Sequence, residues 1–209
     1  MTLVKICGLT TLDDTLDAIE LGADYLGFNF YPDSPRFIDY ELADRIFQEI
    51  PGNIPKVGVF VNEDLDKVLD LAMELGLDML QFHGDETPES LNALGRPWYK
   101  AFRLRDMADV AEIPKYDGDW ILVDADSDKA YGGTGLTAHW DLVHAADKFG
   151  KKVILAGGLN PDNVAVAIAT VKPFMVDVAS GVESSPGKKD RHKMEVFISK
   201  AKSALVRIK

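Results

Sequence analysis

Short β-rich apolar runs alternate along the chain with longer stretches whose apolar residues recur at helical spacing. The first run, residues 3–7, is followed by Leu12, Leu16, Ile19 and Ala23 at helical intervals, with Gly22 as the stop. The same alternation predicts further strands over 25–30, 56–61, 79–82, 98–102, 120–123, 153–156 and 175–178. It predicts helices over 11–21, 40–50, 64–75, 88–94, 107–113, 140–149, 161–171 and 190–208. Pro51-Gly52, Gly76 and Gly150 mark helix ends, and Thr87-Pro88 and Asn160-Pro161 mark helix starts. Residues 31–36 hold two prolines, 126–139 are polar and Gly-rich, and 183–189 lack a period, so all three read as loops.

Strands joined by helical crossovers run parallel. An open doubly wound sheet and a closed eight-stranded barrel both meet that condition. Eight units of roughly 26 residues fill all 209 residues, which favours the barrel. No Gly-x-Gly-x-x-Gly follows the first strand, which counts against a dinucleotide-binding sheet. No linker is visible. The expectation is one α/β domain over 1–209, a (β/α)8 TIM barrel.

Active sites in such barrels lie at the C-terminal strand ends. Those ends carry Cys7, Asn29, Gln81, His83, Arg103, Asp124, Gly157-Gly158 and Ser180-Gly181. The glycine pairs after strands seven and eight sit where such barrels hold phosphate, because glycine lets the backbone approach an anion closely. Asp124 closes an apolar run and shares a face with Leu122, so burial should raise its pKa and suit it to general-acid work. A helix cap or a salt bridge would also explain a carboxylate there. Cys7 lies across the mouth by strand count, and an acid and a base flanking one pocket suit proton-transfer isomerisation. Arg36, in the proline-stiffened loop, has the fork that suits a carboxylate. Gln81 and His83 share a strand face and can line the pocket.

Parity also turns Leu3, Lys5 and Cys7 inward and Val4 and Ile6 outward. An inward ammonium needs a partner. Strand eight, which closes the barrel against strand one, carries Asp177 near the same depth. A buried Lys5–Asp177 pair is therefore expected, with Lys5 lowering the pKa of the Cys7 thiol. The pair could equally serve only to close the seam.

The net charge of −11 argues against nucleic-acid binding. No apolar run reaches the roughly 18 residues that span a bilayer, and the start lacks a charged-then-apolar leader. A single cysteine excludes an internal disulfide, and no Cys/His cluster has metal spacing. A cytoplasmic protein without metal is expected. The sequence leaves open whether it is a monomer or a homodimer.

Together these residues resemble the phosphoribosylanthranilate isomerase family of tryptophan biosynthesis. The matching stretches are Val4-Lys5-Ile6-Cys7-Gly8-Leu9, Ser34-Pro35-Arg36, Gln81-Phe82-His83-Gly84, Leu122-Val123-Asp124, Gly132-Gly133-Thr134-Gly135, Ala156-Gly157-Gly158-Leu159 and Asp177-Val178-Ala179-Ser180-Gly181-Val182-Glu183. They run from the first strand to the last; Ala179 departs from the Ser expected in many relatives. The resemblance implies a cofactor-free Amadori rearrangement of N-(5-phosphoribosyl)anthranilate, a small phosphosugar substrate. It makes Asp124 the general acid, Cys7 the general base and Arg36 the holder of the anthranilate carboxylate. It gives the phosphate to Gly157, Gly158, Ser180 and Gly181, with Gln81, His83 and Gly133 as further substrate contacts. Asp126 follows Asp124 on the same face and competes for the role of acid. The loop 126–139 is expected to close over the pocket. Another phosphosugar barrel, an epimerase or a synthase, is the nearest alternative, although an epimerase of this type wants metal ligands and only His83 is a candidate. An inactive phosphosugar-binding barrel is a third, weakened by the presence of both Cys7 and Asp124.

Overall fold

Each predicted strand forms, and the order in the sheet is the order in the sequence. The strands are β1 (Leu3–Cys7), β2 (Tyr25–Asn29), β3 (Lys56–Phe60), β4 (Met79–Phe82), β5 (Trp98–Phe102), β6 (Trp120–Asp124), β7 (Lys152–Ala156) and β8 (Met175–Val178). All neighbours pair in parallel, and β8 returns to β1 to close the barrel. Between them run α1 (Leu12–Glu20), α2 (Tyr40–Glu49), α3 (Leu65–Glu74), α4 (Pro88–Asn92), α5 (Met107–Glu112), α6 (Trp140–Asp147) and α7 (Val164–Val171), and α8 (Arg191–Ser203) follows β8. This computed structural model describes residues 1–124 and 140–204. Gly133, Asp126 and the loop expected to close over the pocket lie outside the described residues.

Local chemistry starts the helices. The side chains of Thr11, Asp39, Asp64, Thr87, Asp106 and Asp190 each accept a backbone N–H of the first turn. Asn160 behaves otherwise. Its side chain accepts from Asp162 and Asn163 in a tight turn, and α7 begins only at Val164, three residues later than the Asn160-Pro161 pattern predicts. Residues 183–189 also differ from the sequence reading. They form an antiparallel hairpin, β9 (Glu183–Ser185) with β10 (Lys188–Lys189), behind a single 3₁₀ turn at Ser180–Val182.

Strand parity builds two cores. Outward residues such as Val4, Ile6, Leu26, Phe28, Ile121, Val123 and Leu155 pack beneath the helices. Inward residues Val57, Tyr99, Ala101, Leu122, Ile154, Ala156 and Met175 fill the barrel. Tyr25 and Phe174 meet Trp120 edge-on at centroid distances of 5.7 and 5.0 Å and fill the N-terminal end. The barrel interior is therefore packed below, and its large cavity opens at the C-terminal strand ends. No helix among the described residues is long and apolar enough to cross a membrane.

Ile154 is fully buried in the inner cluster. Ile154→Ala should cost about 2–5 kcal/mol in denaturant unfolding, because little around it can relax into the void. A loss below about 1 kcal/mol would contradict a packed interior.

Candidate active site

Above the packed interior lies a cavity of about 1220 Å³, lined among others by Cys7, Arg36, Gln81, His83, Asp124 and Asp177. The loops after β7 and β8 contribute Gly157, Gly158 and Ser180. Gly157 and Gly158 have φ of +83° and +63°, where a side chain would be strained. Gly181 does not line the cavity. A Cβ there would overlap the carbonyl oxygen of Leu159, so this glycine lets the two loops touch.

Lys5 lies beneath the floor, which its partners Cys7, Gln81 and Asp177 line. Register pairs Lys5 with Asp177 across the closing seam, and Cys7 with Gly27 on the other side. The Lys5 side chain is 0% exposed. Its Nζ donates to Asp177 Oδ2 at 2.8 Å, to Gln81 Oε1 at 2.7 Å and to Cys7 Sγ at 3.3 Å. Those contacts use all three protons of an ammonium. Burial alone would lower the Lys5 pKa, and it is the largest single effect, but Asp177, Cys7 and Tyr99 together outweigh it and hold the group charged, well above the usual lysine range. Tyr99 OH, also buried, donates to the same Gln81 oxygen at 2.8 Å. Space for this cluster comes from Gly27, where a Cβ would stand 2.8 Å from both Cys7 Sγ and Lys5 Cε.

The expected lowering of the Cys7 pKa does not result. Burial pushes the thiol up more strongly than the Lys5 charge pulls it down, and Asp177 adds to the rise. Lys5 nonetheless sets how Cys7 hydrogen-bonds. Because an ammonium only donates, sulfur is the acceptor of that contact.

Arg36 is held by a second cluster. Its Nε and Nη2 fork onto Glu183 Oε1 and Oε2, both at 2.8 Å, and Glu183 also accepts from Lys189 Nζ at 2.8 Å. Burial raises the Glu183 pKa, but the bonds from Arg36 and Lys189 outweigh it and the net shift is down. Asn29 supports the Arg36 loop by donating to Ser34 Oγ, which in turn accepts from the Arg36 backbone N–H, each at 3.1 Å.

His83 stands at the end of β4 between two partners. Its Nδ1 lies 3.3 Å from Gln81 Nε2, and its Nε2 lies 3.6 Å from Asp124 Oδ2. The turn that carries it is pinned from below. Glu86 accepts from the backbone of Asn62 and Gly84, at 2.8 and 3.0 Å, and buried Lys100 donates to the Gly84 carbonyl at 2.6 Å. Among the described residues no group of three or more His, Cys, Asp or Glu side chains is placed to hold a metal ion.

The sequence reading missed Gly27, Tyr99, Glu183 and Lys189. Tyr99 was within reach, since parity on β5 turns it inward. Glu183 stands in a stretch that carried the resemblance, but its partner Arg36 is 147 residues away. A glycine inside a strand is a cue to close backbone approach, which fits Gly27.

The family model for N-(5'-phosphoribosyl)anthranilate isomerase matches residues 4–200. The chain is 50% identical over 202 residues to the N-(5'-phosphoribosyl)anthranilate isomerase of Geobacter sulfurreducens, covering 97% of this chain and 99% of that one. It is similar in structure to phosphoribosylanthranilate isomerase from Thermotoga maritima, with TM-score 0.89 and 42% identity over 97% of this chain and 100% of that one. A second crystal structure of such an isomerase, in complex with reduced 1-(o-carboxyphenylamino)-1-deoxyribulose 5-phosphate, matches with TM-score 0.87 and 40% identity, again over 97% and 100%.

Lys5→Met should have two separable effects. Asp177 is left buried and unpaired, which should cost about 3–5 kcal/mol in denaturant unfolding. The Cys7 thiol also loses the charge that opposes its burial, so its alkylation should begin at higher pH than in the wild type. An unchanged alkylation profile would contradict the Lys5–Cys7 coupling.

Proposed function

The chain belongs to the N-(5'-phosphoribosyl)anthranilate isomerase family of tryptophan biosynthesis, and from that premise we propose that Asp124 and Cys7 are its acid and base. The substrate is a phosphosugar bearing an aromatic amine, and the reaction converts its aldose form to a ketose. Asp124 gives its proton to the ring oxygen as the bond from that oxygen to C1′ breaks. The amine lone pair forms the C1′=N bond and leaves a cationic Schiff base. That cation acidifies the C2′ hydrogen, and Cys7 removes it as the enolamine forms. The enolamine then tautomerises to the ketone, its C2′ hydroxyl losing a proton as C1′ gains one.

The observation that carries this reading is that Cys7 and Asp124 face one cavity while Cys7 sulfur is held as an acceptor by a donor-only ammonium. Burial favours the protonated thiol at rest, so Cys7 would release that proton to bulk water before it takes the C2′ hydrogen, and a cation formed beside C2′ favours the thiolate that results. Arg36 would meet the substrate carboxylate. Glu183 takes its Nε and Nη2 edge, so the Nη1 edge is the one offered, aimed by a buried carboxylate rather than swinging in solvent. Gly157, Gly158 and Ser180 would hold the phosphate on backbone N–H groups, with Gly181 keeping the two loops in contact. The whole chain would act as one barrel domain without a cofactor.

Cys7→Ser and Asp124→Asn should each lower kcat by about 10²–10⁴-fold with unfolding curves unchanged. Loss of fluorescence of N-(5'-phosphoribosyl)anthranilate gives the rate. If Asp124→Asn kept near-full activity and Asp126→Asn lost it, the acid would be the wrong aspartate. For Arg36, Lys keeps the charge but not the fork, so Arg36→Lys should chiefly raise KM and Arg36→Met should raise it further. An unchanged KM in both would remove Arg36 from the site.

A further inference from the structure

We propose that His83 is a positioning residue: held as the Nε2–H tautomer by Gln81, it aims the acid group of Asp124. The proposal rests on Asp124 being the acid.

The chain of reasoning begins at Lys5, whose protons have fixed destinations. One of them goes to Gln81 Oε1, and the Tyr99 hydroxyl donates to the same oxygen. A flipped Gln81 would set its NH2 group against an ammonium at 2.7 Å, donor against donor. The amide orientation is therefore forced, and Nε2 is the atom that faces His83. An amide NH2 can only donate, so His83 Nδ1 must present its lone pair. A neutral imidazole then carries its single proton on Nε2. An imidazolium would put a second N–H against the same amide.

The Nε2 atom is buried and has no hydrogen bond among the described residues. Among the described residues its nearest acidic neighbour is Asp124 Oδ2 at 3.6 Å. That distance is too long for a hydrogen bond, and a movement of roughly 0.7 Å would make one. Catalytic hydrogen bonds often tighten only when substrate closes the site. In the acid form of Asp124 an N–H at Oδ2 selects that oxygen as the carbonyl and leaves the acid proton on Oδ1. After the proton has passed to the ring oxygen, the same N–H stabilises the new carboxylate. His83 touches Asp124 rather than the reacting atoms, so its work is aim and charge stabilisation. One ammonium thus sets the hydrogen bonding of the base directly and that of the acid through Gln81 and His83.

The test is ¹⁵N NMR of imidazole-labelled enzyme at pH about 8, above the ordinary imidazole range. The chain has four histidines, and His83→Asn identifies the His83 signals by their loss. The expected spectrum has Nε2 protonated and Nδ1 bare. Gln81→Glu replaces the amide by a carboxylate that still accepts from Lys5 but also accepts from Nδ1–H, so the tautomer should reverse. If that variant fails to fold, Gln81→Leu removes the amide donor and should give a mixture of tautomers. In kinetics, His83→Ala should lower kcat by about 10- to 100-fold with KM nearly unchanged. A wild-type Nδ1–H tautomer, or one unmoved by either Gln81 change, overturns the proposal even with Asp124 as the acid. A raised KM with unchanged kcat in His83→Ala overturns it in favour of a substrate contact. Full activity of Asp124→Asn overturns the reading beneath it, and is told apart because the wild-type tautomer would stay as expected.

Discussion

One buried ammonium organises the mouth of this barrel. A lysine at 0% exposure costs several kcal/mol unless each proton is met by a suitable acceptor. Asp177 supplies the countercharge, Gln81 a neutral oxygen and Cys7 a sulfur. These partners come from four strands, β1, β4 and β8 and, through Tyr99, β5. The ammonium that pairs across the barrel seam is therefore also the donor to the thiol. Loss of that charge would disturb the fold and the chemistry together, because the same three protons serve both.

A second ion cluster does for Arg36 what Asp177, Gln81 and Cys7 do for Lys5. Arg36 sits in a proline-stiffened loop, and Glu183 and Lys189 sit on the hairpin that follows β8. Glu183, itself buried, fixes both the position and the in-plane rotation of the guanidinium. A bidentate fork leaves a defined edge towards the cavity, which a lysine at the same place could not. The overall charge of −11 would repel an anionic substrate, so local cationic and backbone donors must be held rigidly to bind one.

The repeat of strand and helix was legible because each segment obeys one period and six of the helices open on a side-chain cap. The seam pair was legible too: parity turns Lys5 inward, and closure of the barrel leaves Asp177 beside it. What local pattern could not supply was competition between effects. Asn160-Pro161 has the chemistry of a helix start, yet Asn160 spends its side chain on a turn and α7 begins later. Lys5 beside Cys7 suggested a lowered thiol pKa, but burial is the larger of the two opposing effects and only the packed site reveals that. The Arg36–Glu183 fork joins residues too far apart for any local rule, and a hairpin whose strands are three and two residues long has too little period to be seen.

The most direct measurement is an NMR titration of the Lys5 side chain, following its Cε and Nζ resonances in lysine-labelled protein. If Asp177 holds Lys5 as a charged donor to Gln81 and Cys7, its resonances stay those of an ammonium through the pH range in which exposed lysines titrate, near 10.5. A Lys5 that loses its proton with those lysines or below them would contradict the arrangement, since a neutral amine cannot donate in all three directions.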